Sequence, residues 1–140
     1  MNLEDFKPMV KSQKPMAKED TKMLAHIKKL IKDTTRLIDD FHIGIAMQEL
    51  YQSFWHTFAD IYLEEAKPRL YTKDREGKPI NQEGKDLESR KQAQYTLWYS
   101  LKTYLQLLHP FIPFVTEEIW KELPKEKDES ETIMYSKWPS

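Results

Sequence analysis

Apolar residues recur every three or four positions in four stretches of this chain, and polar residues fill the positions between. Over residues 20–41 the stripe is Met23, Ile27, Leu30, Thr34, Ile38 and Phe41, the spacing of one helix face. Lys22, Lys29, Lys32 and Arg36 fall on the opposite face, and Asp20 or Thr21 is placed to cap the start. Asp39 and Asp40 close this helix at the end where its dipole disfavours acid, so pairing with lysines is expected there. The second stripe, over 45–66, runs through Met47, Leu50, Tyr51, Phe54, Phe58, Ile61 and Tyr62. Trp55 flanks it, and Glu65 lies on it near enough to the end to reach water. Pro68 stops that helix. A third helix over 85–108 turns Leu87, Leu97, Trp98, Leu101, Tyr104, Leu105 and Leu108 inward. The fourth, over 113–123, follows a corner made by two prolines. Pro110 cannot continue the preceding helix, and Pro113 suits a first helical turn, where its missing N–H costs little. Glu117 and Glu118 then sit near the positive end of the dipole, and Phe114, Ile119 and Trp120 are the expected buried anchors.

Between these stripes lie turn-rich and charged segments. Residues 71–84 (YTKDREGKPINQEG) read as an exposed loop. Residues 124–131 read as a charged loop, and Thr132 to Tyr135 as a short extended piece ending at Trp138-Pro139. Residues 1–18 have no clear period and read as a partly extended lead-in that packs Leu3 and Phe6. There is no internal repeat. Four stripes with short connections define an all-α helical bundle of about four helices. The expected layout is a lead-in over 1–19, helices over 20–123 and a short extended tail over 124–140.

Composition narrows the picture. The chain has 140 residues, enough for one domain with a sizeable core. Charged residues make up 32 % and only three are glycine, which suits a helical domain with a solvated surface. Cysteine is absent, so neither a disulfide framework nor a thiolate metal site is possible. No apolar run reaches membrane-spanning length, and cytosol is the default compartment. The formal net charge of −1 argues against tight autonomous RNA binding, because nucleic-acid binders usually carry a basic excess.

Catalytic chemistry finds little support. A carboxylate-bridged metal pair in a helical bundle needs Glu-x-x-His, and none of Glu49, Glu64, Glu65, Glu117 or Glu118 is followed by His three residues on. The pairs Glu64-Glu65 and Glu117-Glu118 point about 100° apart on a helix and make poor acid–base partners. His109, before Pro110, reads as a packed or capping histidine. The better candidates are binding surfaces. Lys29, Lys32 and Arg36 project together and either contact phosphates or form a solvated face. Tyr95, Tyr99 and Lys102, with Gln106, share the face of the third helix away from the core. They suit stacking on unpaired bases, or equally packing against a neighbouring domain or helix. Glu49, Asp60 and Glu64 make the polar face of the second helix repel RNA, and Asp60 and Glu64 are expected to bond between helices with Lys67 or Arg69.

The wording of residues 108–120, LHPFIPFVTEEIW, adds a family. It resembles a hallmark of the anticodon-binding helical domain of class I aminoacyl-tRNA synthetases, and the valyl member most of all. Phe54-Trp55, the run Ala59 to Glu64, and Ala66-Lys67-Pro68 resemble the valyl pattern in the same order. Arg36-Leu37 before Phe41, Gly44 and Ala46 ahead of Leu50-Tyr51, and the closing Trp138-Pro139 fit it too. Phe41 to Gly44 is similar to the start of the family's ATP-site signature. It lacks the final His, having Ile45 there, and no strand–helix–strand pattern surrounds it. Met134 to Lys137 is a fainter likeness to the second signature.

The resemblance implies a parent enzyme that attaches valine to its tRNA with ATP, catalysed by a domain outside this chain. This domain would hold the anticodon stem and loop of tRNA(Val), with no catalytic residue, metal or cofactor of its own. The family's domain normally opens with a helix like Asn-Lys-x-Trp-Asn-x-x-Arg-Phe, followed by residues like Met1-Asn2-Leu3. That helix is missing here, which implies an excised fragment whose uncovered groove favours self-association. The alternatives are the isoleucyl- or leucyl-type domain and a free-standing helical protein-interaction module.

Overall fold

The computed structural model describes residues 17–125 and 129–140. Leu3, Phe6 and the rest of the lead-in up to residue 16 lie outside the described residues. The elements are α1 (Lys18–Asp39), α2 (Ile43–Gln52), a π-helical segment (Ser53–Tyr62), α3 (Leu63–Leu70), α4 (Gly84–Leu108), α5 (Pro113–Glu122) and a 3₁₀ turn (Ile133–Tyr135). α2, the π segment and α3 join without a break, because the residues at both junctions keep helical angles. The predicted all-α bundle is what forms. Among the described residues the one departure is an isolated bridge between Lys73 and Pro79 in the exposed 71–84 loop.

The core lies between α1, the α2–α3 rod and α4. Met23, Ile27, Leu30 and Ile31 from α1 meet Leu50, Phe58, Tyr62 and Ala66 from the rod and Leu97, Tyr104 and Leu107 from α4. The rod's inner line, Leu50, Phe54, Phe58, Tyr62 and Ala66, repeats every four residues. A four-residue step in a 3.6-residue helix drifts about 40° round the axis. The wider π turn takes up that drift and keeps the line facing the core. Phe54 stacks on Phe58 at 5.7 Å and Phe58 on Tyr62 at 6.2 Å. The broader predicted stripe is corrected accordingly. Met47, Tyr51 and Ile61 lie beside this line and are exposed, because no described element covers that flank. Glu65 does reach water, and Ala66 takes the core position.

A second core joins α4 to α5 and the tail: Trp98 and Leu105 pack with Trp120, Leu123 and Ile133. α4 is therefore central, buried on two faces. Pro113 takes the first turn of α5 as expected, and His109 Nδ1 meets Thr116 Oγ1 at 2.8 Å across the corner. Phe114, however, is 87 % exposed and Ile119 is exposed as well; Trp120 alone of the three expected anchors is buried. Glu117 and Glu118 lie past the first turn. Glu117 instead accepts the Ile133 N–H at 2.9 Å and so ties down the tail.

Helix ends bring further corrections. α1 begins after Ala17, so neither Asp20 nor Thr21 is its cap. The rod runs past Pro68 to Leu70, and the Asn81 side chain donates to the Pro68 and Tyr71 carbonyls at 2.9 and 2.8 Å. α1 closes with the pair of backbone bonds His42 N–H to Leu37 O, 2.7 Å, and Phe41 N–H to Ile38 O, 3.0 Å. That geometry needs a left-handed residue, usually Gly, at the turn. Here it is Phe41, at φ 63°, so its side chain swings away from the α1 stripe and ends 86 % exposed. Thr132 to Tyr135 is a tight turn, not an extended piece, with Thr132 Oγ1 accepting the Met134 N–H.

Candidate nucleic-acid interface

α1 offers one continuous cationic surface. Met23, Ile27, Leu30, Ile31 and Thr34 are buried, and the helical repeat puts Lys22, Lys29, Lys32 and Arg36 on the far side, where all four are exposed. Arg36 lies 3.9 Å from Asp33 with its side chain 71 % exposed. That loose pair leaves the guanidinium open to a phosphate. The structure thus brings Lys29, Lys32 and Arg36 together, as their spacing predicts.

Behind this face runs a polar chain that spacing could not show. His26 Nε2 meets Ser53 Oγ at 2.7 Å, and Ser53 Oγ meets the Tyr104 hydroxyl at 2.7 Å. It links α1, the rod and α4 at mid-height. Burial, and then the Lys29 charge, push the His26 imidazole below its usual value. Burial pushes the Tyr104 hydroxyl up to about 12.

One end of the bundle is closed by charge. Asp20, fully buried, accepts two bonds from the Arg69 guanidinium, at 2.8 and 2.6 Å, and one from the Tyr62 hydroxyl at 2.8 Å. Arg69 also donates to Ser89 Oγ at 2.8 Å, to Ser89 O at 2.9 Å and to Glu19 at 3.1 Å. α1, α3 and α4 therefore meet on one guanidinium. Asp60 and Glu64 take no part: Asp60 faces His56 and Glu64 pairs with Lys67, both within the rod. The expected bonds between helices are thus made by Asp20. No local signal links it to Arg69, which is 49 residues away.

Of the two readings of the α4 tyrosines, the structure takes the packing one. Tyr95 and Tyr99 stack at 6.0 Å but are half-buried, packed on the Trp98–Trp120 core. Lys102 sits 4.9 Å over the Trp98 ring and pairs with Glu129. This face of α4 is roofed by the tail. Trp98 Nε1 donates to Pro124 O at 2.7 Å and Trp120 Nε1 to Ser130 O at 3.1 Å. Gln106 Nε2 donates to Lys137 O at 3.1 Å and Trp138 Nε1 to Thr35 Oγ1 at 2.9 Å. Tyr99, Lys102 and Gln106 keep an edge in a cleft of about 540 Å³ beside Tyr135 and Trp138. Three indole or amide donors from the helices meet carbonyls along the tail and Trp138 of the tail donates back to α1, which explains why the third-helix tyrosines are not open stacking surfaces.

Among the described residues no group of His, Asp and Glu side chains is placed to hold a metal, and no helix is long and apolar enough to cross a membrane.

Residues 20–140 match the family described as the anticodon-binding domain of tRNA ligase. This chain belongs to that family. A valine–tRNA ligase of Carboxydothermus hydrogenoformans is 41 % identical over 139 residues. Those of Fervidobacterium nodosum and Thermotoga maritima are 35 % and 34 % identical over the same length. In each case the match covers 99 % of this chain and 14 % of the relative. The anticodon-binding domain described here thus spans a small part of the relatives it matches. No solved structure matches it.

Proposed function

We propose that this chain is the part of a valine–tRNA ligase that holds the anticodon arm of tRNA(Val), in the cytosol, while a catalytic domain of the same polypeptide joins valine to the tRNA with ATP. The observation that carries this reading is the family match over residues 20–140, together with valine–tRNA ligases that align along 99 % of the chain. The contribution of such a domain is binding energy and orientation: it fixes one end of the tRNA so that the acceptor end is placed for reaction.

Within that reading, Lys29, Lys32 and Arg36 are the phosphate contacts. They are exposed, share one helix face and are backed by a rigid core. Tyr95, Tyr99 and Lys102 support the tail instead. The test is a titration of the chain with valine tRNA and a second tRNA across a salt series. Affinity should fall with salt, and each of Lys29→Ala, Lys32→Ala and Arg36→Ala should reduce the salt slope by about 1 and weaken both tRNAs alike. Unchanged binding in the triple variant would remove α1 from the interface. Binding insensitive to salt would remove the phosphate argument altogether.

A further inference from the structure

Two bulky side chains stand out of the bundle at one end. Phe41 and Phe114 are 86 % and 87 % exposed, beside exposed Ile43, Ile45, Ile112 and Val115. The polar pairs fix where they lie. Asp20 and Ser89 meet Arg69, and His26 and Tyr104 meet Ser53, so α1 and α4 both run antiparallel to the rod. The end opposite Arg69 therefore gathers the last turn of α1, the first turn of α2, the last turn of α4 and the first turn of α5. Both phenylalanine corners belong to that end. Phe41 is held there in a left-handed conformation that a non-glycine residue adopts at a cost. An exposed apolar surface of this kind marks a contact face.

The charges choose between kinds of partner. Asp39 and Asp40 are exposed at this end, while Glu118 on the outer side of α5 pairs with Lys121 at 3.8 Å. Arg36, the nearest cation on α1, lies about a turn back from Asp39 and Asp40 and belongs to the cationic face of α1. Acidic side chains among apolar ones repel phosphates and suit a protein surface that is apolar with a basic rim. The length of the relatives says where such a surface comes from, since the matched stretch is 14 % of the valine–tRNA ligase chain.

We infer that the Phe41–Phe114 end is the face on which the rest of the parent ligase docks, through an apolar surface rimmed with basic side chains. This rests on the ligase reading above. Docking there fixes the bundle relative to the catalytic domain and leaves the cationic face of α1 free for tRNA.

Hydroxyl-radical footprinting of Phe41 and Phe114, in the 140-residue chain and in the whole ligase that contains it, tests the inference. Both rings should oxidise readily in the chain alone and severalfold more slowly in the ligase. The Phe41→Ser, Phe114→Ser double variant of the ligase should lose roughly 10- to 100-fold in kcat/KM for aminoacylation, because a misplaced domain misplaces the acceptor end. Its activation of valine by ATP without tRNA should be unchanged, and Leu at both positions should restore much of the loss. Equal oxidation in both contexts, or full aminoacylation by the double variant, overturns the inference. Protection already present in the chain alone, whether by residues 1–16 or by a second copy seen in sedimentation, overturns it too. Failure of the ligase reading shows separately, as absence of tRNA binding by the chain while its two phenylalanines stay unchanged.

Discussion

The two ends of the bundle solve opposite problems. At one end Asp20, Glu19 and Ser89 supply an acceptor for each N–H of the Arg69 guanidinium, and Asp20 also accepts the Tyr62 hydroxyl. At the other end Phe41 and Phe114 stand in solvent and the corners are apolar. A buried carboxylate is tolerated only where a partner neutralises it, and Arg69 provides a planar two-bond fit. That end is complete within the chain. The apolar end gains nothing from solvent, which is why we infer a further surface laid on it. With docking at the apolar end as inferred above, stability and docking are separated along the bundle axis, with the cationic face of α1 between them.

The largest effect should come from breaking the charged end. Asp20→Ala leaves the Arg69 guanidinium without its buried partner and should cost about 3–5 kcal/mol in urea unfolding. Asp20→Asn keeps part of the hydrogen bonding and should cost less, about 1–3 kcal/mol. Equal stability of both variants and the parent chain would mean that the network holds nothing together.

A smaller effect sits at mid-height. The neutral His26 imidazole meets Ser53, and its folded value lies below the usual 6.5. The unfolded chain therefore takes up protons first as pH falls. The stability contributed by the neutral ring is fully present above about pH 6.5 and is lost as pH drops below it. His26→Gln keeps a partner for Ser53 without titrating, and should flatten this part of a stability–pH curve. A curve of the same slope in both proteins would remove His26 from the account.

The smallest effects belong to the apolar end. Phe41→Gly relieves a left-handed residue whose ring is 86 % exposed, and should raise the melting stability of the chain by up to about 1 kcal/mol. Phe114→Ser should change it by no more than about 0.5 kcal/mol, as other surface substitutions do. A loss above about 2 kcal/mol from either would show a covered residue and erase the contrast between the ends.

What was legible in the sequence was local. The four helices follow from apolar spacing, the α4–α5 corner from Pro110 and Pro113, and the cationic face of α1 from the same 3.6-residue repeat that buries Met23 and Ile27. The order of motifs from Phe54 through Trp138 pointed to the family that the match over residues 20–140 then showed. Asp60 and Glu64 carried no signal to separate pairing within the rod from pairing between helices, since His56 and Lys67 respectively lie within reach along the same helix.

By itself, then, the sequence determined helices, corners and the family, because backbone preference and amphipathic period act over a few residues. Tertiary structure alone decided which side chains the helices share. Asp20 finds Arg69 across 49 positions, Ser53 finds Tyr104 across 51, and Thr35 finds Trp138 across 103. It also decided that Tyr95 and Tyr99 go under the tail while Phe41 and Phe114 stay outside. Burial depends on what packs against a face, and a hydrophobic residue carries no mark of whether its neighbour comes from its own chain segment or from elsewhere.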